Sequence, residues 1–136
     1  MKENAAGEER SEPRWLVGLS IFGDLDFDRL ANILGTPTDW HKKGQKHALG
    51  TFDEDRFGIT SPLSRTSSVN EHLKWLNKRL QPHLNELRML QKVHKVQIYC
   101  GVNFFTDQNG ITIDPDCLLV YRELNHPIEI TVLCLG

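Results

Sequence analysis

A chain of 136 residues has the length of one domain and is long enough to bury about two-thirds of its unfolded surface without disulfide or metal support. Charged residues make up 25% and the hydrophobic set 39%, with sixteen basic against eighteen acidic side chains and a formal charge of -2. That balance suits a water-exposed globular fold and argues against a dedicated nucleic-acid binder, which carries a basic excess.

Residues 1–13, MKENAAGEERSEP, offer almost nothing to bury and are expected to form a mobile tail, leaving 14–136 as a single domain. Trp15 to Phe22 places Trp15, Val17, Leu19 and Ile21 on one side and Leu16, Gly18, Ser20 and Phe22 on the other, the pattern of an interior strand. Asp26 is placed to cap a helix whose buried side is Phe27, Leu30, Ile33 and Leu34, and Gly35 stops it. From Asp39 to Arg56 the periodicity disappears, which predicts a long loop, functional or mobile. Phe57, Ile59 and Ser61 predict a short strand, and Ser68 or Asn70 supplies a cap for a long helix.

Glu71 to Val93 is the longest periodic stretch. Leu73, Leu76, Leu80, Leu84, Leu87 and Leu90 are three or four residues apart and share one side of a helix, which Pro82 must kink or split. Val96 to Phe104 alternates as a strand, and Asp107-Gln108-Asn109-Gly110 predicts a tight turn into a returning strand that begins with Ile111 and Ile113. Asp114-Pro115 predicts a capped helix through Leu124. Ile128, Ile130, Val132 and Cys134 form a last strand. The order predicts an α+β fold, a two-layer sandwich in which a largely antiparallel or mixed sheet of about five strands is covered by helices on one face.

The progression Gly23-Asp24-Leu25-Asp26, Leu30 to Leu34, Gly35-Thr36-Pro37-Thr38 and Lys43-Gly44, together with Leu80-Gln81-Pro82, resembles the domain-of-unknown-function family 4279 over about Trp15 to Val132. Phe57 stands where that family usually shows a tryptophan after the loop. The resemblance implies a small, mostly microbial, intracellular domain. It carries no activity and no catalytic residues.

The residues themselves contain no glycine-rich phosphate loop, nucleophile elbow, zinc-protease helix or EF-hand motif. Cys100, Cys117 and Cys134 sit among apolar neighbours with no CxxC pair, and read as buried, reduced thiols. Neither a signal peptide nor a membrane span is expected, and the expected location is cytoplasmic. His72, His83 and His94 recur every eleven residues, about 16 Å apart along a helix and too distant to share a metal. No catalytic residue, metal or cofactor is therefore expected. Carboxylate pairs at Asp24 and Asp26, Asp53 and Asp55, and Asp114 and Asp116 read as caps and turns. Ser61, Ser64, Ser67 and Ser68 have no histidine beside them in sequence, although the fold could bring His41 near.

The candidate binding residues are Trp40, His41, Lys42, Lys43, Lys46 and His47. They read either as a surface for a phosphate, a nucleic-acid strand or an acidic protein, or as a solvated loop with Trp40 folded onto the core; the core placement is the expectation. The function expected is a non-enzymatic protein-interaction module, immunity-type or regulatory, with another protein as partner. The alternative is a small enzyme or a nucleotide or RNA binder using this loop.

Overall fold

The computed structural model describes residues 12–105 and 110–134. Most of the expected mobile tail and most of the Asp107–Gly110 turn therefore lie outside the described residues. A mixed five-stranded sheet has the order β2-β5-β1-β6-β7, and a two-stranded ribbon, β3-β4, stands beside it. The central strand is β1 (Arg14–Gly23), flanked by antiparallel β5 (Asp55–Thr60) and β6 (Lys95–Phe104). β2 (Asp39–His41) extends the sheet antiparallel to β5, while β7 (Ile130–Cys134) runs parallel to β6. Helices cover one face, as the α+β sandwich pattern predicts.

The register explains why one face is apolar. Leu19 lies opposite both Ile59 and Ile98, Ile21 opposite Phe57 and Val96, and Val17 opposite Cys100, so alternate residues of three strands bury together. Onto that layer pack α1 (Phe27–Leu34), α2 (Val69–Leu80) and α3 (Leu84–Val93). Asp26 caps α1 by accepting the Arg29 N–H, and Ser68 caps α2 by accepting the Glu71 N–H. Leu73, Leu76, Leu80 and Leu87 of the leucine stripe are buried, and Leu84 and Leu90 pack against the same core. Pro82 splits the long helix through a 3-10 turn at Gln81–His83, because it has no N–H to continue the ladder. Trp75 is half-buried against the core, whereas Met89 on α3 is exposed.

Four expectations are corrected. Ile111 and Ile113 form no strand: the place beside β6 is taken by parallel β7, and both isoleucines instead pack as half-buried residues on the core. Asn70 holds this segment in place, accepting the Asp114 N–H at 2.9 Å and donating Nδ2–H to the Thr112 carbonyl at 3.1 Å. Asp114 makes no side-chain cap; a 3-10 turn (Pro115–Leu118) leads into the short α4 (Leu119–Glu123). Buried Asn77 fastens α2 to this region, donating to the Cys117 carbonyl at 2.8 Å and accepting the Val120 N–H at 3.3 Å. Cys100 and Cys117 are buried, but Cys134 is exposed because it lies on an edge strand. The segment from Asp39 to Arg56 is not structureless: it holds β2, both strands of the ribbon and the start of β5. No helix among the described residues is long and apolar enough to cross a membrane.

Candidate functional site

The six candidate binding residues lie along β2 and the ribbon after it. Lys46–His47 (β3) pairs with Gly50–Thr51 (β4), Lys46 opposite Thr51 and His47 opposite Gly50, so Ala48-Leu49 is a two-residue turn. Strands this short carry no periodicity, which is why the sequence reads as a loop. Glycine makes the turns possible: Gly44 has φ 84°, where its N–H donates to the Phe52 carbonyl, and Gly50 has φ 147°.

Phe52 organises the inside of the ribbon. The His41 ring stacks on it at 3.6 Å between centroids, and His47 lies tilted against it at 4.5 Å. Asp55 ties the base down by accepting the Lys43 N–H at 2.7 Å and the Leu25 N–H at 3.0 Å. Those two backbone bonds, the Lys43 one first, hold its carboxyl below the ordinary carboxylate value. Lys42 reaches the face of Phe27 at 5.5 Å, and none of Lys42, Lys43 or Lys46, all exposed, forms an ion pair among the described residues.

Trp40 is not a core residue, contrary to expectation. It is 53% exposed, because it sits on the sheet's edge strand opposite Phe57, and it meets Phe27 in a T-shaped contact, 6.1 Å between centroids. Leu49 at the ribbon tip is 94% exposed. Composition could not single out Leu49, since only the turn geometry puts an apolar side chain at a tip.

Two further clusters also appear. Ser61 Oγ lies 2.7 Å from His72 Nδ1, so the histidine beside that serine is His72, eleven residues on, while His41 stacks on Phe52. His72 is buried, which lowers its pKa, and its Nε2 has no partner among the described residues. In a Ser-His-Asp triad the histidine's second nitrogen is oriented by a third group. Asp114, Asp116 and Cys117 offer ligand atoms within 4.8 Å of one another. The Cys117 thiol is pushed up by burial first and by Asp116 next, and it donates to the Asn70 carbonyl, which works against the thiolate a metal requires.

The opposite face of the sheet, which no helix among the described residues covers, holds a polar network. Arg56 donates Nε–H to Ser20 Oγ at 3.0 Å and Nη1–H to Asp39 Oδ2 at 2.5 Å. Thr60 Oγ1 and Tyr99 Oη share a hydrogen bond of 2.5 Å, and burial raises the Tyr99 pKa. Thr38 Oγ1 accepts the Thr60 N–H at 2.8 Å.

No curated protein and no solved structure matches this chain. Residues 13–135, nearly all of it, match the family described as a domain of unknown function (DUF4279), and the chain belongs to that family.

Proposed function

We propose that the domain is a non-enzymatic protein-interaction module, of regulatory or immunity type, that docks an acidic partner protein on the segment 40–52. The observation that carries this reading is the company Trp40 and Leu49 keep. Two exposed apolar side chains share one segment with three lysines that form no ion pair among the described residues. Exposed aromatic and aliphatic anchors that share a segment with lysines suit protein docking: the anchors contribute contact area, and the charges steer a complementary partner. The stacked His41–Phe52–His47 core and the Asp55 clamp support it further, because a pre-shaped segment loses little entropy on binding.

The test is capture from the native cytoplasm followed by quantitative binding of whatever co-purifies. Replacing Lys42, Lys43 and Lys46 together with Ser should shift stability by no more than about 0.5 kcal/mol, yet weaken binding and flatten its salt dependence. Trp40→Ala should cost about 1–2 kcal/mol of stability, well short of a core tryptophan, while affinity falls by about 2 kcal/mol or more. A triple-lysine variant that retains every partner would end the reading. Oligonucleotide titrations at two salt concentrations separate it from the nucleic-acid alternative, since phosphate contacts weaken steeply with salt.

A further inference from the structure

We propose that the uncovered face of the sheet carries a binding pocket for a small organic anion, a carboxylate or phosphate monoester with a short apolar body, set between Arg56 and Arg65. The inference stands on residues other than the ribbon lysines and is independent of the docking surface above.

The pocket, about 480 Å³, lies over the middle of β1 and β5. Two glycines beside it decide how its lining side chains lie. A Cβ at Gly18 would collide with the Ile59 carbonyl oxygen and with Tyr99 Oη, so only glycine lets the Tyr99 side chain lie across the strand there. Gly58 does the same for Asp39, whose Oδ1 an added Cβ would strike. Glycines on adjacent strands thus let the Tyr99 phenol and the Asp39 carboxylate lie close against the sheet, which fixes where these two lining groups stand.

The walls supply charge in a fixed place. Ser20, only 2% exposed, and Asp39 hold the Arg56 guanidinium from two sides through Nε and Nη1. Across the pocket, Arg65 is anchored by its backbone, whose carbonyl accepts the Trp15 N–H at 2.8 Å. Its guanidinium forms no ion pair among the described residues. Two guanidiniums against one carboxylate leave an excess of one positive charge, and planar guanidinium donors suit carboxylate and phosphate oxygens. Thr60 and Tyr99 add hydroxyls to the lining, with Tyr99 a neutral phenol because burial raises its pKa. Leu16, 40% exposed on the same lining, offers the apolar contact.

Titration of isotopically labelled full-length protein with phenyl phosphate, benzoate and inorganic phosphate, followed by amide chemical shifts, tests this. Saturable shifts at Thr60, Tyr99 and Arg65 are expected with phenyl phosphate or benzoate, and whichever binds tighter identifies the anion. Arg65→Gln, at an exposed position that leaves the fold intact, should raise that Kd about tenfold, as loss of one charge-assisted contact does. Leu16→Ala should weaken the phenyl ligand and leave inorganic phosphate unchanged. Absence of saturation by about 10 mM, tenfold above a weak millimolar complex, would overturn the proposal. So would a Kd that Arg65→Gln leaves unchanged, or shifts that map to Lys42 and Lys43 instead.

Discussion

The two faces of the five-stranded sheet are made from alternate residues of the same strands, and different forces hold them. On the covered face Val17, Leu19 and Ile21 meet Phe57, Ile59, Val96, Ile98 and Cys100 beneath the helices, with apolar burial as the driving term. On the open face Gly18, Ser20 and Phe22 meet Arg56, Gly58, Thr60, Lys95, Gln97 and Tyr99. There the side chains are ordered by directed hydrogen bonds such as Arg56 to Ser20 and Thr60 to Tyr99. Burial is non-directional and tolerates many packings, whereas hydrogen bonds fix individual atoms in space. Stability therefore concentrates on one face and positional definition on the other, which is where a ligand can be recognised.

Leu80→Ala strikes the covered side hardest. Leu80 is fully buried there, and the change should cost about 2–5 kcal/mol. An unchanged urea midpoint would remove the leucine stripe from its central place. Gly18→Ala comes next, at about 1–3 kcal/mol, because the added methyl meets the Ile59 backbone carbonyl, which cannot swing away as a side chain would. If Gly18→Ala unfolds at the wild-type midpoint, the open face is not shaped by glycine.

His72 is a buried ionisable group on the covered side, and its effect is gated by pH. Burial lowers its pKa from the ordinary 6.5, so the folded chain resists a proton that the unfolded chain accepts. Above pH 6.5 both states are neutral and stability is full. As pH falls below 6.5, stability should decline until the folded-state pKa is passed. His72→Gln should flatten that decline in urea midpoints measured across the same range. Asp55 acts in a separate window: its depressed pKa contributes stability above 3.8 that is lost only at lower pH.

The smallest effect should come from the open face itself. Asp39→Asn removes the Arg56 ion pair, but the Asp39 side chain is 47% exposed and solvent screens it, so under about 1 kcal/mol is expected. A loss several-fold larger, read from the same denaturation curves, would mean that the polar network is a second core.

Much of the architecture is readable from the chain alone. Trp15–Phe22 reads as an interior strand and is the central one, alternation in Val96–Phe104 identifies a strand with one buried side, and the three-and-four spacing of the leucines identifies the covering helix. Ser68 and Asp26 mark helix starts by their side-chain oxygens, Gly35 and Pro82 mark helix ends by their backbone chemistry, and each does so in the fold. These signals are local: they depend on residues a few positions apart, which share one face of one element whatever surrounds them. The family membership is legible in the same way, through short motifs along nearly the whole chain.

Pairing and exposure belong to the tertiary structure alone. An Asp-Gln-Asn-Gly turn followed by Ile111 and Ile113 looks locally like a hairpin, but β7, from Ile130 onward, occupies the place beside β6. Trp40 has the composition of a core residue and is half exposed because β2 lies at the sheet edge, a fact about strand order. Ser61 and His72, Arg56 and Ser20, and Thr60 and Tyr99 meet across eleven, thirty-six and thirty-nine residues of chain. A linear sequence specifies what each side chain can donate, accept or bury. Which partner it finds depends on chain closure over those distances, and only the assembled sheet and helices determine it.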